Sequence, residues 1–591
     1  MPCRKKKTAQ SLQDTTINTC FRCHGVMAKR QWDQDHQCDP GNPLNPCNPA
    51  APGKPQFKAE FTQMSDSANP HFKYGALARN GISCLACHRQ IPSKQPPGSH
   101  QNDLQYFLQN SITGLFQTGP ADVLTGPFKD VATLPMKNGL GIQPGHGEYI
   151  KSSRMGGSCN SIYLPVIDKP PVKPVNPATE HNMEQATYLE WFNSAYQNEV
   201  APVTACKPAT GGSNPPQACA QTCQSCHMPG GYHNAEQKLD VAQIRTKIAT
   251  VQDQDFPATE GLAPAKEIAV ARRNEGYARH ELLGSNVFLL EMVKQFNEVL
   301  GVRTSDYMTG KLDGIEQTIS NFKQQASERT ARVDTSVVSL ENGKLVADVK
   351  VTNLAGHRLP SGVGFRRVFI EFLVLDNSTA GAAPRVVWGS GRSNELGVIL
   401  DAEGKPLPSE FFVETTGRDG KLQQAYQPHY QSIDAQNQVQ IYEELVKDTN
   451  GQFTTSFLRR DDEFKDNRLL LAGWSKAGPD PKNFNGVFLH ATWPKGGAEN
   501  DPDYQNGSGT DSVRYNVTLP AGLDPAKLSI RATLYYQSMP PYFLAMRFKE
   551  APQGSATRRL FYLTSNLDLS QSPAKGWKLP LASKEQMVMK K

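Results

Sequence analysis

The chain lacks the features that would place it in a bilayer or on a nucleic acid. No run approaches the roughly 18 consecutive apolar residues that a membrane-spanning helix needs. Charge is nearly balanced: 63 Lys+Arg against 57 Asp+Glu gives +6 over 591 residues, too small a surplus to argue for nucleic acid or an anionic membrane surface. No glycine-rich fingerprint for a flavin or nicotinamide cofactor occurs. The opening Met1-Pro2-Cys3-Arg4-Lys5-Lys6-Lys7 is basic but leads into no apolar stretch of the kind a secretory leader carries.

What is present is chemically specific. Cys20-Phe-Arg-Cys23-His24, Cys84-Leu-Ala-Cys87-His88 and Cys223-Gln-Ser-Cys226-His227 are three C-x-x-C-H strings. This is the pattern of c-type haem attachment: two thiols make thioether bonds to the porphyrin and the next histidine ligates the iron. With 12 Cys and 13 His in 591 residues, chance supplies roughly 0.005 such strings in the whole chain. A thioredoxin-like site would need a βαβ setting that none of the three has, and zinc would need cysteine pairs closer together than these. The expectation is three c-type haems, attached through Cys20, Cys23, Cys84, Cys87, Cys223 and Cys226, with His24, His88 and His227 as proximal ligands.

Covalent haem attachment of this class takes place outside the cytoplasm, so a periplasmic, extracellular or cell-surface location follows. A leader is then expected upstream of Met1, and earlier haem strings could lie with it. Six further cysteines suit an oxidising compartment: Cys38 with Cys47 and Cys206 with Cys219 bracket short loops and are candidate local disulfides, while Cys3 and Cys159 are left over.

The organisation expected is α+β and multidomain. Residues 1–265 read as a loop-rich, mostly helical multihaem domain, in which the haems supply the missing core. Residues 266–334 read as a helical hairpin, from Leu283, Val287, Leu290, Val293, Phe296 and Leu300, then Leu312, Ile315, Ile319, Phe322 and Ala326, all at helical spacing. From 335 to 591 the period becomes two. Leu345, Ala347, Val349 and Val351 alternate with polar neighbours after an Asn342-Gly343 turn signal. Further strands are expected at 368–374, 439–446, 452–458, 486–493, 512–519 and 528–536, giving a C-terminal antiparallel β-sandwich.

Six-coordinate irons need a second ligand each, and ten histidines remain to choose from. His71 lies a short helix before the second motif. His280 lies at the expected start of the long amphipathic helix. His357 lies in a turn between strands, where a β domain could donate it. His181, ahead of a short helix, is a fourth candidate. His36, His100, His146 and His233 are weaker candidates, and His429 and His490 read as structural. Met27 and Met228 follow their own motifs too closely to reach the opposite face of the same haem.

Three strings resemble multihaem c-type cytochromes of the cytochrome c554/c-prime-like group. They are Gly81-Ile-Ser-Cys84-Leu-Ala-Cys87-His88, Thr187-Tyr-Leu-Glu-Trp191 leading to Thr222-Cys223-Gln-Ser-Cys226-His227-Met228-Pro229, and Asn353-Leu-Ala-Gly356-His357-Arg358-Leu359-Pro360-Ser361-Gly362. The resemblance covers the haem half and the first strands of the β half. It implies electron transfer between redox partner proteins, other cytochromes or a membrane quinol-linked complex. Ser158-Cys159-Asn160 stands where some similar proteins carry another haem string, and here one cysteine and the histidine are missing.

Electron transfer is one reading of the residues. A haem oxidoreductase acting on a small nitrogen or sulfur compound is another, and it would need one iron with an open position. A third gives the β half a docking role toward a surface partner.

Overall fold

The computed structural model describes residues 18–36, 57–98, 102–164, 182–197, 221–229, 278–302, 313–416, 422–479 and 487–588, with breaks at 65 and 132, together with residue 199 and the backbone of 233–234 and 239–240. His181, His100 and the cysteine pairs 38/47 and 206/219 lie outside these residues. The chain mixes helices with largely antiparallel sheets and divides into two compact units. Among the described residues no helix is long and apolar enough to cross a membrane.

The first unit comprises 1–99, 114–159 and 221–283 and holds all three motifs. Its elements are short: helices Val26–Asp35, Phe72–Arg79, Cys84–His88, Leu134–Leu140, Ser153–Gly157 and Cys223–His227, and a parallel ladder of Val123–Gly126 with Gln143–His146. Its protein core is correspondingly small. One cluster is aromatic, with Trp32, Phe57, Phe61 and Tyr74 around Ala28. Another joins Val26, Ala86 and Phe116, with Met27 and Cys159 against it.

The second unit comprises 100–113, 160–220 and 284–591. Ten strands build its two main sheets: β1 Ala331–Glu341, β2 Lys344–Asn353, β3 Arg367–Asp376, β4 Arg385–Ser390, β5 Ser432–Ile433, β6 Ile441–Lys447, β7 Asp462–Asp466, β8 Thr510–Thr518, β9 Leu528–Gln537 and β10 Leu579–Met587. One sheet runs β5-β8-β2-β1, and the other β7-β6-β3-β9-β10 with β4 on β3. All pairings are antiparallel except β5 with β8. Asn342 and Gly343 both take positive φ, 49° and 75°, as a two-residue hairpin turn between β1 and β2 requires. Leu345, Ala347, Val349 and Val351 are fully buried, as the period-two pattern demands. The two sheets share one apolar core, in which Phe372 of β3 stacks on Tyr515 of β8 at 4.1 Å. Each large aliphatic side chain taken from water in this core stabilises the fold by about 1.5–3 kcal/mol.

Three local expectations are corrected. Residues 452–458 form no strand. The Asp448 carboxylate accepts the Asn450 and Gln452 N–H groups and closes a turn, and only a single bridge, Lys447 to Phe453, follows. Phe453 then stacks on Phe412 at 3.5 Å. Residues 486–493 contain the helix Val487–His490, whose Phe488 and Leu489 bury with Leu104, Phe107 and Leu189; a short continuous apolar run suits a buried helix as well as a strand. The expected helix from 283 to 300 begins only at Val287, capped by the Asn286 side chain, and breaks at Phe296 before a last turn, Asn297–Leu300.

Candidate functional site

Each motif folds as about one helical turn. In the first, His24 N–H bonds the Cys20 carbonyl at 2.9 Å. The second and third are the helices Cys84–His88 and Cys223–His227, the latter capped by the Thr222 side chain on Ser225 N–H. A helical turn puts positions i, i+3 and i+4 on one face, so both cysteines and the histidine address the same side. The spacing within the motif is therefore a consequence of helix geometry.

Two of the motif histidines are oriented by backbone carbonyls. His88 Nδ1 lies 2.7 Å from the Thr125 carbonyl, and Thr125 Oγ1 returns a bond to the His88 carbonyl at 3.0 Å. His227 Nδ1 lies 2.5 Å from the Leu283 carbonyl. A ring nitrogen facing a carbonyl must carry the proton, which leaves the Nε2 lone pair for a metal. This is the outer contact that a ligating imidazole uses to fix its tautomer and its plane.

The segment 279–283 is held against the third motif. Leu283 N–H donates to the His227 carbonyl at 2.8 Å and Arg279 N–H to the Pro229 carbonyl at 3.4 Å. Leu282 sits at φ 50° and Leu283 is buried. His280 therefore stands on a pinned turn, not on a helix as its sequence setting suggests. Its ring lies opposite His88 of the second motif, with centroids 5.9 Å apart and planes 32° from parallel. The apolar residues flanking this pair in sequence face outward, with Ile82 57% and Leu282 63% exposed. Such exposed apolar side chains beside paired imidazoles are what an apolar plate such as a porphyrin would cover.

The other candidates sit as follows. His71 precedes helix Phe72–Arg79 and stacks on Phe61 at 4.1 Å, in the aromatic cluster of Trp32 and Tyr74. His36 stacks on Trp32 at 3.9 Å, with its Nδ1 on the Trp32 carbonyl. His24 is exposed. His146 is 2.9 Å from Glu148. His357 belongs to the second unit, its Nδ1 2.9 Å from the Arg358 carbonyl.

At the His357 turn the segments Thr187–Trp191 and Asn353–Gly362 meet. Thr187 Oγ1 contacts Ser361 Oγ at 2.9 Å, and Glu190 accepts from Ser361 Oγ at 2.6 Å and from Arg358 N–H at 3.2 Å. Gly356 packs so closely on Trp191 and Tyr196 that a Cβ there would lie 3.3 and 3.2 Å from them. Arg358, fully buried, bonds Asp466 at 2.5 Å. Thr187–Trp191 and Asn353–Gly362 are thus two halves of one packed structure.

Cys159, left over by the sequence patterns, has a close partner. The neighbouring Cys23 thiol, together with burial, raises Cys159 well above the ordinary thiol range; Cys87 adds to the effect and Arg30 acts against it. Burial likewise raises Cys87, with Cys84 adding to it. Arg30 stands beside the same group, over the Phe116 ring at 4.3 Å and donating to the Phe116 carbonyl at 2.9 Å. No local sequence signal marks this contact, because its partners lie far apart along the chain.

In the second unit, His429, Asp501 and Asp511 gather within metal-ligand distance. Their hydrogen bonds argue against a metal. Gln440 Nε2 and Asn467 Nδ2 both donate toward His429 Nδ1, at 3.1 and 3.3 Å. Both amides are oriented by backbone N–H groups, of Tyr430 and Glu443, on their oxygens. His429 must then carry its proton on Nε2, 2.9 Å from Asp501. Metal ligation through Nε2 would push that proton onto Nδ1, into two donors.

No family model matches the chain. No curated protein matches it either. Among solved structures, a penta-haem cytochrome c552 from Thermochromatium tepidum aligns over 96% of this chain and 98% of its own, at 13% identity and a TM-score of 0.37. At that score and identity the likeness does not establish a shared fold.

Proposed function

We propose that the chain is a multihaem c-type cytochrome that passes electrons between redox partner proteins outside the cytoplasm. The observation that carries this reading is the opposed pair His88 and His280. Two imidazoles holding one iron between them, with metal–nitrogen bonds of about 2.0–2.1 Å and roughly 1.1 Å from nitrogen to ring centre, would have ring centres about 6.2–6.4 Å apart. The observed 5.9 Å lies within about half an ångström of that separation. Haem iron, when bound, supplies a reversible one-electron couple whose potential depends on axial ligands and burial.

The residues do the rest. Cys84 and Cys87 would anchor the porphyrin by thioether bonds. Thr125 fixes the His88 tautomer, and the His227–Leu283 pairing presents His280. An iron held between His88 and His280 would have no position for a small substrate, which favours a carrier over a substrate-converting oxidoreductase at that motif. His71 and His357 remain proposed distal ligands for the other two centres. Residues 335–591 are proposed as the part that docks a surface partner.

The test is an EPR spectrum of the oxidised full chain with haem quantified per polypeptide. Three low-spin ferric centres support the reading. A high-spin centre at stoichiometric occupancy overturns it in favour of an open, substrate-binding haem.

A further inference from the structure

The near balance of charge over the whole chain hides a local surplus. From Arg547 to Leu567 stand four cations, Arg547, Lys549, Arg558 and Arg559, and one acid, Glu550. They belong to a helical hairpin of the second unit, Pro541–Glu550 and Ser555–Ser565. Its tip projects from the protein, with residues 549–556 exposed without a break.

The second helix is seated on one side and bare on another. Leu563 is buried with Phe288, Met292 and Leu569. Arg558, Phe561, Tyr562 and Ser565, at positions i, i+3, i+4 and i+7, share a face, and all four are exposed. Phe561 is 55% exposed and Tyr562 51%. Phe561 meets Phe548 of the first helix edge to face at 5.2 Å, so the apolar surface runs across both helices. Arg547 is engaged, over the Phe543 ring at 5.6 Å and paired with Glu550 at 2.9 Å. Among the described residues the side chains of Lys549, Arg558 and Arg559 have no hydrogen-bond or ion-pair partner.

Resting on the docking role proposed for residues 335–591, we infer that this hairpin seats the protein on a bilayer surface carrying anionic headgroups: Lys549, Arg558 and Arg559 meet lipid phosphates, and Phe561 and Tyr562 enter the layer between headgroups and acyl chains. The charges are complementary, since three unpaired cations surround the two aromatics and no acid lies between Ala551 and Leu567. A phenyl ring gains by leaving water at that depth, and a tyrosine keeps its hydroxyl among the headgroups. A protein face with fixed carboxylates calls for guanidinium groups held in one geometry, and no neighbour holds these; long side chains without fixed partners suit a fluid layer of phosphates. The seat is peripheral, because no described helix is long and apolar enough to cross a membrane.

The experiment uses the full chain with vesicles of phosphatidylcholine, alone or with about 30% phosphatidylglycerol. Sedimentation gives the partition coefficient, and hydrogen exchange of the bound protein gives the contact site. Wild type should sediment with the anionic vesicles at low salt, be released at high salt, and leave the zwitterionic vesicles unbound. Backbone amides of 549–566 should be protected on binding. Arg558→Gln with Arg559→Gln should weaken partition about 30-fold, the share of two cations near an anionic surface. Phe561→Ser should weaken it roughly tenfold. Lys344→Gln with Lys350→Gln removes the same charge from exposed positions of β2 and should leave partition within about twofold of wild type.

Equal weakening by the two double variants overturns the inference, because the attraction would then belong to the molecule's charge as a whole. Wild type that stays unbound by anionic vesicles overturns it too, and leaves the acidic face of another protein as the partner of the hairpin. All the substituted side chains are exposed, so folding is not at stake. Haem content of the same preparations reads the cytochrome assignment separately, and it stands or falls without regard to the vesicles.

Discussion

His227 and Leu283 are tied twice: Leu283 N–H donates to the His227 carbonyl at 2.8 Å, and His227 Nδ1–H donates to the Leu283 carbonyl at 2.5 Å. One peptide segment therefore orients the histidine of the third motif and places His280 opposite His88 of the second. The two motifs share a structural part.

Removing the His280 imidazole should be visible at one centre only. In His280→Ala the second-motif iron should lose its distal imidazole and change from low to high spin, with haem content unchanged, since Cys84, Cys87 and His88 are untouched. EPR with haem quantification reads both. A spectrum identical to wild type would remove His280 from the ligand set.

Gly114→Ala places a methyl group where Arg22 Cβ and Cys23 Sγ already are, at a backbone φ of 71°. The strain in φ alone costs about 1 kcal/mol, and the contact adds to it. The first motif should lose haem while motifs 2 and 3 retain theirs, measured by peptide mass. Equal retention at all three motifs would show that the loop yields to the methyl.

Asp511 is fully buried and its carboxyl is pushed up to about 6 by that burial, with His429, Tyr442 and Gln440 acting against the rise. A carboxyl raised above its unfolded value binds its proton more tightly in the folded state. Its stabilising share is present below about pH 4 and is lost as pH rises through about 6, a change of about 3 kcal/mol. Asp511→Asn keeps an acceptor for Gln440 and Tyr442, which bond Asp511 at 2.8 and 2.7 Å. The variant should unfold in urea with a flatter pH dependence between pH 4 and 6, and be more stable than wild type by about 1–2 kcal/mol at pH 7.5. A parallel pH profile would show the carboxyl to be ionised throughout.

Arg367 meets Glu410 with two parallel bonds of 2.6 and 2.8 Å and gives its Nε–H to Gln537 at 2.7 Å, all buried. Arg367→Met strands the Glu410 carboxylate and should cost about 3–5 kcal/mol in urea unfolding. Arg367→Lys keeps the charge but loses the fork, and should recover only part of that. Full recovery by lysine would mean that charge alone matters here.

The three C-x-x-C-H strings are legible in the sequence and each folds as a helical turn, and the strand from Leu345 to Val351 is legible because one face of it is buried. His280 stands out as a candidate, but its setting does not. Leu283 has the spacing of the first residue of a helical stripe, whereas it is buried by pairing with His227, a contact with no periodicity. The run Val487–His490 has too few residues to show a period, so its apolar character fits strand and helix alike. The close approach of Gly114 to Arg22 and Cys23, and the contact of Thr187–Trp191 with Asn353–Gly362, join segments far apart in the chain, and no local pattern encodes them.

The double tie between His227 and Leu283 bears on how this protein can be taken apart. Fragments that end between residues 88 and 223 keep the second attachment string but lose both His280 and the residues that hold it in place. With His88 and His280 as the two axial ligands of one iron, such a fragment would carry a five-coordinate haem, reactive toward small ligands where the whole chain is closed. Shortened versions built for electrochemistry or for wiring to electrodes would therefore need to run through residue 283, so the smallest useful module contains motifs 2 and 3 together.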